Sequence, residues 1–299
     1  MKLIIPLAFL LALSSCKQSA PEPDKPEQSP RQHSVDTTLP LRSHLQCLPK
    51  EAAIVAAHRG TSKKEDLPEN AASSLRALIA AGFIMAEVDV AGLKDGTHIL
   101  FHDGVWEEKT TGSGVVAATK WSEAEKFLLK DTDGDLSADR LVTLQDALGL
   151  AKGTMYLEID FKSSAKYGKV ISLIRSSGMT DRVILIAYND RQAKRLAQLA
   201  PEMILSVGAN SIADIKNLED NGVKRENMAI WLGKGPYDAD FIAYLDEHKM
   251  PVLAWPDEGA RRQSLGPATV AVTDYAMQKT PIEGINENGW AAYKACLEQ

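Results

Sequence analysis

The chain is short of cysteine, of long apolar runs and of excess positive charge, and each shortage narrows what it can be. Three cysteines in 299 residues allow at most one internal disulfide, so covalent staples cannot be the main source of stability. The longest apolar opening run, Leu3 to Leu13, is too short to cross a bilayer, and no later stretch is long enough either. Lys and Arg number 34 against 40 Asp and Glu, a net charge of −6, which argues against a general nucleic-acid binder. Basic runs are short, and Lys63-Lys64 reads as a solvated loop. No glycine-rich phosphate loop follows the first apolar strand-like run, which disfavours a doubly wound open sheet built for dinucleotides.

The N-terminus reads as an address. Lys2, the apolar run and the small residues before Cys16 fit an export signal over residues 1–15. The string Leu13-Ser14-Ser15-Cys16 resembles a bacterial lipobox, which implies a diacylated Cys16 at the mature N-terminus; the alternative is an ordinary signal peptide cleaved near Ser15. Residues 16–45 carry Pro21, Pro23, Pro26, Pro30 and Pro40 with almost no apolar residue before Leu39, so a flexible tether is expected there. The implied location is the cell envelope, lipid-anchored, on the periplasmic side of the outer membrane in a Gram-negative host. Cys47 and Cys296 flank the remaining domain, residues 46–299. In an oxidising compartment, with first and last elements adjacent in a closed fold, they are expected to pair.

That domain, about 250 residues long, is the size of one (β/α)8 barrel. Strand-like runs fall at 54–58, 84–90, 155–160, 183–187, 203–207, 228–232, 251–255 and 269–273. Helical periodicity occupies 71–81, 144–151, 167–176, 190–200, 211–220 and 239–247 between them. Alternation of this kind predicts a parallel sheet, and eight repeats predict closure into a TIM barrel. The count requires 97–102 to be a hairpin arm, turned by Asp95-Gly96 and opening an insertion after the second strand.

Polar fragments sit at the ends of these runs: His58-Arg59-Gly60, Pro68-Glu69-Asn70, Glu87-Val88-Asp89 and His102-Asp103. Glu87 and Asp89 are two apart on a strand and share one face, where like charges call for a hard cation. Glu158, Asp160 and Lys162 alternate in the same way on the next strand. Asp131-Thr132-Asp133-Gly134-Asp135 imitates the start of an EF-hand, but Leu136 and Val142 stand where that loop needs Gly and Glu.

The order and spacing of these fragments resemble the glycerophosphodiester phosphodiesterase family, from residue 54 to about 275. The resemblance implies His58 and His102 as general acid and base, and Arg59 and Lys162 on the phosphate. It also implies Glu69 and Asn70 lining or bracing the pocket, and Trp255 as a wall for the leaving group. A divalent cation, Mg²⁺ or Ca²⁺, would be held by Glu87, Asp89 and either Asp160 or Glu158. The family's Glu-x-Lys is Asp160-x-Lys162 here, and Ala71 and Leu93 replace threonines of its pattern. Thr273-Asp274 resembles its closing motif. The expected reaction is metal-dependent hydrolysis of glycerophosphodiesters to glycerol 3-phosphate and an alcohol, through a cyclic phosphate. The alternatives are a phospholipase D-like or phosphatidylinositol-cleaving enzyme acting on intact lipid, and a non-catalytic lipid-anchored binding protein.

Overall fold

A computed structural model describes residues 34–63, 65–233, 237–255 and 269–299. The expected signal peptide, Cys16 and the proline run up to Pro30 lie outside the described residues.

Eight parallel strands close a barrel: β1 (Ala53–Ala57), β2 (Met85–Gly92), β3 (Tyr156–Phe161), β4 (Val183–Ala187), β5 (Ile204–Gly208), β6 (Met228–Gly233), β7 (Val252–Ala254) and β8 (Val270–Thr273). Each pairs with the next, and β8 pairs back to β1. Both faces of most strands are buried, which is why they read as near-continuous apolar runs. One set of alternate side chains, including Val88, Leu157, Leu185 and Val207, packs outward against the helices. Thr143, Asn189, Ser211 and Asp238 cap four of these helices by accepting the backbone N–H three residues on, which sets their starts.

The other set points into the barrel and changes character along its axis. At the N-terminal end it is apolar: Ile54, Met85, Tyr156, Ile184, Ile204, Leu253 and Val270 form one buried cluster. Two to four residues further along the same faces come His58, Glu87, Asp89, Glu158, Asp160 and Ser206. The stability of the barrel therefore comes from one end and its chemistry from the other.

Between β2 and β3 the chain makes the expected hairpin. Strand His98–Leu100 runs antiparallel to β2, with Val90 opposite Leu100, and Gly96 at φ 87° turns the chain as only glycine does readily. A second hairpin, Leu128–Lys130 with Leu136–Arg140, completes the insertion. A satellite core around the fully buried Trp106 holds it together; the indole N–H donates to Thr119 at 2.9 Å.

The N-terminal boundary differs from expectation. Composition places residues 34–45 in the tether, yet helix Leu41–Cys47 closes the apolar end of the barrel with Leu41, His44 and Leu45 buried. Leu41 N–H donates to Asp181 at 2.9 Å, and Leu39 and Gly153 accept from Tyr156 and Thr37 at 2.7 Å each. Three leucines carry too little local signal to reveal this. Their partners are the barrel floor and the C-terminal helix Glu287–Leu297, to which Cys296 joins Cys47 by a disulfide with Cα atoms 5.6 Å apart.

Because Leu41 is 0% exposed, Leu41→Ala is expected to lower the unfolding free energy by about 2–4 kcal/mol in urea titrations. A loss near zero would mean that the segment is laid on the barrel without contributing to it.

Candidate active site

Four carboxylates enter the barrel from two adjacent strands, in register: Glu87 opposite Glu158 and Asp89 opposite Asp160. Ligand oxygens of Glu87, Asp89 and Asp160 lie within 4.8 Å of one another, and all three residues are buried. Burial drives the Glu87 carboxyl well above its ordinary range, and the Asp89 charge pushes the same way, while the Arg59 N–H at 2.8 Å opposes them. Asn70, at φ 55°, holds Asp89 from both sides: its amide donates to Oδ2 at 2.7 Å, and its carbonyl accepts the Asp89 N–H at 2.9 Å. Lys162 Nζ bridges Asp89 Oδ1 and Asp160 Oδ2 at 2.6 Å each. One Asp160 oxygen, Oδ1, is buried with no hydrogen-bond donor among the described residues. A dense carboxylate set with a spare oxygen and only partial neutralisation fits a hard divalent cation.

The two carboxylates that the sequence left as alternatives separate here. Asp160 belongs to the group; Glu158 lies outside it. Burial pushes the Glu158 carboxyl up to about 8, against the nearby Ser206 hydroxyl, with the Asp160 charge adding to the rise.

Both histidines are oriented by aspartates. His58, at the end of β1, pairs Nδ1 with Asp274 Oδ1 at 2.7 Å, leaving Nε2 toward the cavity at 3.9 Å from Glu87. His102, at the end of the hairpin arm, pairs Nδ1 with Asp103 Oδ1 at 2.7 Å, and its Nε2 receives Arg59 Nη2 at 3.0 Å. A carboxylate on Nδ1 fixes the tautomer with the lone pair on Nε2, which faces the cavity in His58 and accepts from Arg59 in His102. Arg59 reaches His102 because the chain takes positive φ at both Arg59 (54°) and Gly60 (61°), and a Cβ at Gly60 would sit 2.9 Å from Leu75. Glu69 holds the other side of the guanidinium at 3.1 and 3.2 Å and also pairs with Lys109. Glu69 and Asn70 therefore brace Arg59 and Asp89.

A cavity of about 250 Å³ lies at the C-terminal end of the barrel, lined by both histidines, the four carboxylates and Lys162. Trp255 forms a wall and meets His58 edge-on at 4.8 Å between ring centroids. Sequence reasoning missed several contributors. Tyr188 is 67% exposed, yet its hydroxyl donates to Asp160 Oδ2 at 2.8 Å. Trp231 and Ser206 also line the cavity. Their one available signal is position: Ser206 and Trp231 lie on inward faces of β5 and β6, and Tyr188 follows β4. Asp131, in the EF-hand-like turn, spends Oδ1 on the N–H groups of Asp133 and Asp135 at 3.0 and 2.9 Å, closing a hairpin turn.

Residues 58–257 match the model of the glycerophosphoryl diester phosphodiesterase family. A glycerophosphodiester phosphodiesterase from Caldanaerobacter subterraneus is 27% identical over 157 residues, covering 50% of this chain and 64% of the relative. The matched stretch is thus less than two thirds of that relative's length. Among solved structures, a glycerophosphoryl diester phosphodiesterase from Parabacteroides distasonis aligns with a TM-score of 0.70 at 20% identity, over 85% of this chain and 90% of its own. An Oleispira antarctica phosphodiesterase, solved in complex with the product sn-glycerol-3-phosphate, gives 0.62 at 18% identity, over 86% and 99%. At such identities the structural likeness speaks for the fold.

The His58 hydrogen bond holds the Asp274 carboxyl down at about 2, with Lys63 assisting against partial burial. A carboxyl lowered from 3.8 contributes stability that is fully present above that value and lost as pH falls through about 2. The stability gap between the native chain and Asp274→Asn should therefore close between pH 4 and 2 in acid-unfolding series. Turnover of that variant should fall at least about tenfold at neutral pH, because a neutral amide replaces the charged acceptor on His58 Nδ1 and can present an N–H there, favouring the wrong tautomer. A gap that does not change with pH would place the carboxylate's role elsewhere.

Proposed function

The chain belongs to the glycerophosphoryl diester phosphodiesterase family, and from that premise we propose that it hydrolyses glycerophosphodiesters to glycerol 3-phosphate and an alcohol. The observation that carries the proposal is the convergence of two aspartate-oriented histidines on a cavity that also holds a three-carboxylate group. The Oleispira antarctica enzyme, with sn-glycerol-3-phosphate as its product, is consistent with this substrate class.

Glu87, Asp89 and Asp160 would hold Mg²⁺ or Ca²⁺. When bound there, the ion would offset charge on the phosphoryl oxygens. Arg59 supplies a fixed cation beside His102, and Lys162 a second beside Asp89 and Asp160. In the proposed first step, one histidine Nε2 takes the proton of the substrate's own glycerol hydroxyl as its oxygen bonds to phosphorus. The other gives a proton to the departing alcohol oxygen, and a cyclic phosphate results. In the second step the roles exchange: water adds to phosphorus and the ring oxygen regains its proton. Trp255, packed on His58, limits water on that side.

We propose that Cys16 carries lipid and attaches the protein to the envelope membrane. The described chain enters at the N-terminal face of the barrel, where Thr37 bonds to Gly153, while the cavity lies at the other end.

His58→Ala and His102→Ala should each reduce turnover by about 10²-fold or more, measured as glycerol 3-phosphate released from glycerophosphodiesters. Chelation and Glu87→Gln should abolish most of the activity. Full activity after chelation would end the cation proposal, and an active His102→Ala would return the hairpin arm to a structural role. Cys16→Ser should move the protein from the membrane to the soluble fraction; unchanged partitioning would remove the anchor.

A further inference from the structure

The inward face of β3 presents Tyr156, Glu158 and Asp160 in turn, from the apolar end toward the mouth. Asp160 joins the carboxylate group and Tyr156 the apolar plug, so Glu158 belongs to neither. It is 1% exposed, and its Oε2 has no hydrogen-bond donor among the described residues. Yet it lines the catalytic cavity, next to Ser206 on the inward face of β5. A buried carboxyl oxygen without a hydrogen-bond partner is unfavourable unless something entering the cavity supplies one.

The cavity suggests what enters. Beyond the charged groups, Ser206 and Tyr188, its lining is apolar and includes Ile186, Trp231, Trp255 and Val272, so apolar walls stand beside the buried acids. Its volume of about 250 Å³ lies below the range of roughly 300–1,000 Å³ that accommodates drug-sized ligands. Walls that accept C–H groups and acids that accept O–H groups suit a small polyol.

Resting on the phosphodiesterase reading above, we infer that Glu158 and Ser206 form a hydroxyl-reading subsite for the terminal hydroxyl of the substrate's three-carbon polyol arm. The hydroxyl donates to Glu158 Oε2, with Ser206 beside it. Holding the far end of the arm aims its middle hydroxyl at phosphorus, between the two histidines. Glu158 and Ser206 are thus specificity and positioning residues. The leaving alcohol is excluded from this end and its chemistry is left unselected by this subsite.

A matched pair of substrates tests the subsite: a glycerol phosphodiester and the corresponding propane-1,2-diol phosphodiester, with the same leaving alcohol. The second keeps the middle hydroxyl and lacks only the terminal one. The native enzyme should prefer the glycerol compound by at least about 10²-fold in kcat/KM, as sites built to bond a hydroxyl do. Glu158→Ala should bring that ratio to within a few-fold of one, with Ser206→Ala in between. A native ratio near one overturns the subsite while leaving glycerophosphodiester hydrolysis standing; failure to cleave either compound overturns the underlying reading. A loss in Glu158→Ala that is equal for both substrates also overturns it, since a structural role lowers both alike. Should a variant be inactive, calorimetric binding of glycerol 3-phosphate against propane-1,2-diol phosphate reads the same preference. Two divalent ions bound per chain in the native protein would instead make Glu158 a ligand of a second cation and end the proposal.

Discussion

Four carboxylates held in register on two neighbouring strands inside a barrel are a constraint that the rest of the site answers. Glu87 faces Glu158 and Asp89 faces Asp160 across β2 and β3, and all four are buried. Unrelieved, that repulsion would leave the upper barrel unstable or its acids protonated. The relief is distributed. Lys162 bridges two of the acids, the Asn70 amide and the Arg59 N–H each donate to one, and Tyr188 donates to Asp160. What remains uncompensated is the negative field that a divalent cation would satisfy.

The same constraint explains the division of labour along the barrel axis. An interior lined with charge at one end needs a closely packed floor at the other. Met85, Tyr156, Ile184 and Ile204 supply it from the same strand faces that carry the acids and Ser206. Helix Leu41–Cys47 then covers that floor and is tied by a disulfide to the C-terminal helix, so the first and last elements of the fold shield its apolar end. The polar end is left to loops, and the longest of them, between β2 and β3, carries its own small core around Trp106. That core fixes where the hairpin arm ends and thus where His102 stands. A catalytic residue delivered from an insertion is positioned by packing as much as one delivered from a barrel strand.

His58 and His102 reach the cavity by different routes and end in the same arrangement, each with an aspartate on Nδ1 and Nε2 facing inward. The equivalence suits the two-step reaction proposed above, in which acid and base would exchange. Arg59 makes the environments unequal, since its Nη2 lies on His102 alone, while Glu87 and Trp255 approach His58. The asymmetry comes from a single backbone feature, the left-handed pair at Arg59 and Gly60.

Much of this was legible in the sequence because the signals involved are local. Near-continuous apolar runs of strand length mark strands wherever both faces are buried, so the eight barrel strands and the Asp95-Gly96 hairpin could be placed from the residues alone. In a strand, two-residue spacing puts Glu87 with Asp89, and Glu158 with Asp160, on shared faces. The sequence could not choose between Glu158 and Asp160, because both lie on the same face and both stand in register with β2; only the placement of the side chains brings an Asp160 oxygen within 4.8 Å of those of Glu87 and Asp89. It gave no weight to Tyr188 or Ser206, whose roles arise from partners 28 or more residues away. It also ended the tether too late, since Leu41 and Leu45 have no local reason to be ordered and are buried only by elements from the far end of the chain. Periodicity and side-chain chemistry are properties of neighbours along the chain; register, closure and the sharing of charge among strands exist only once the barrel is closed.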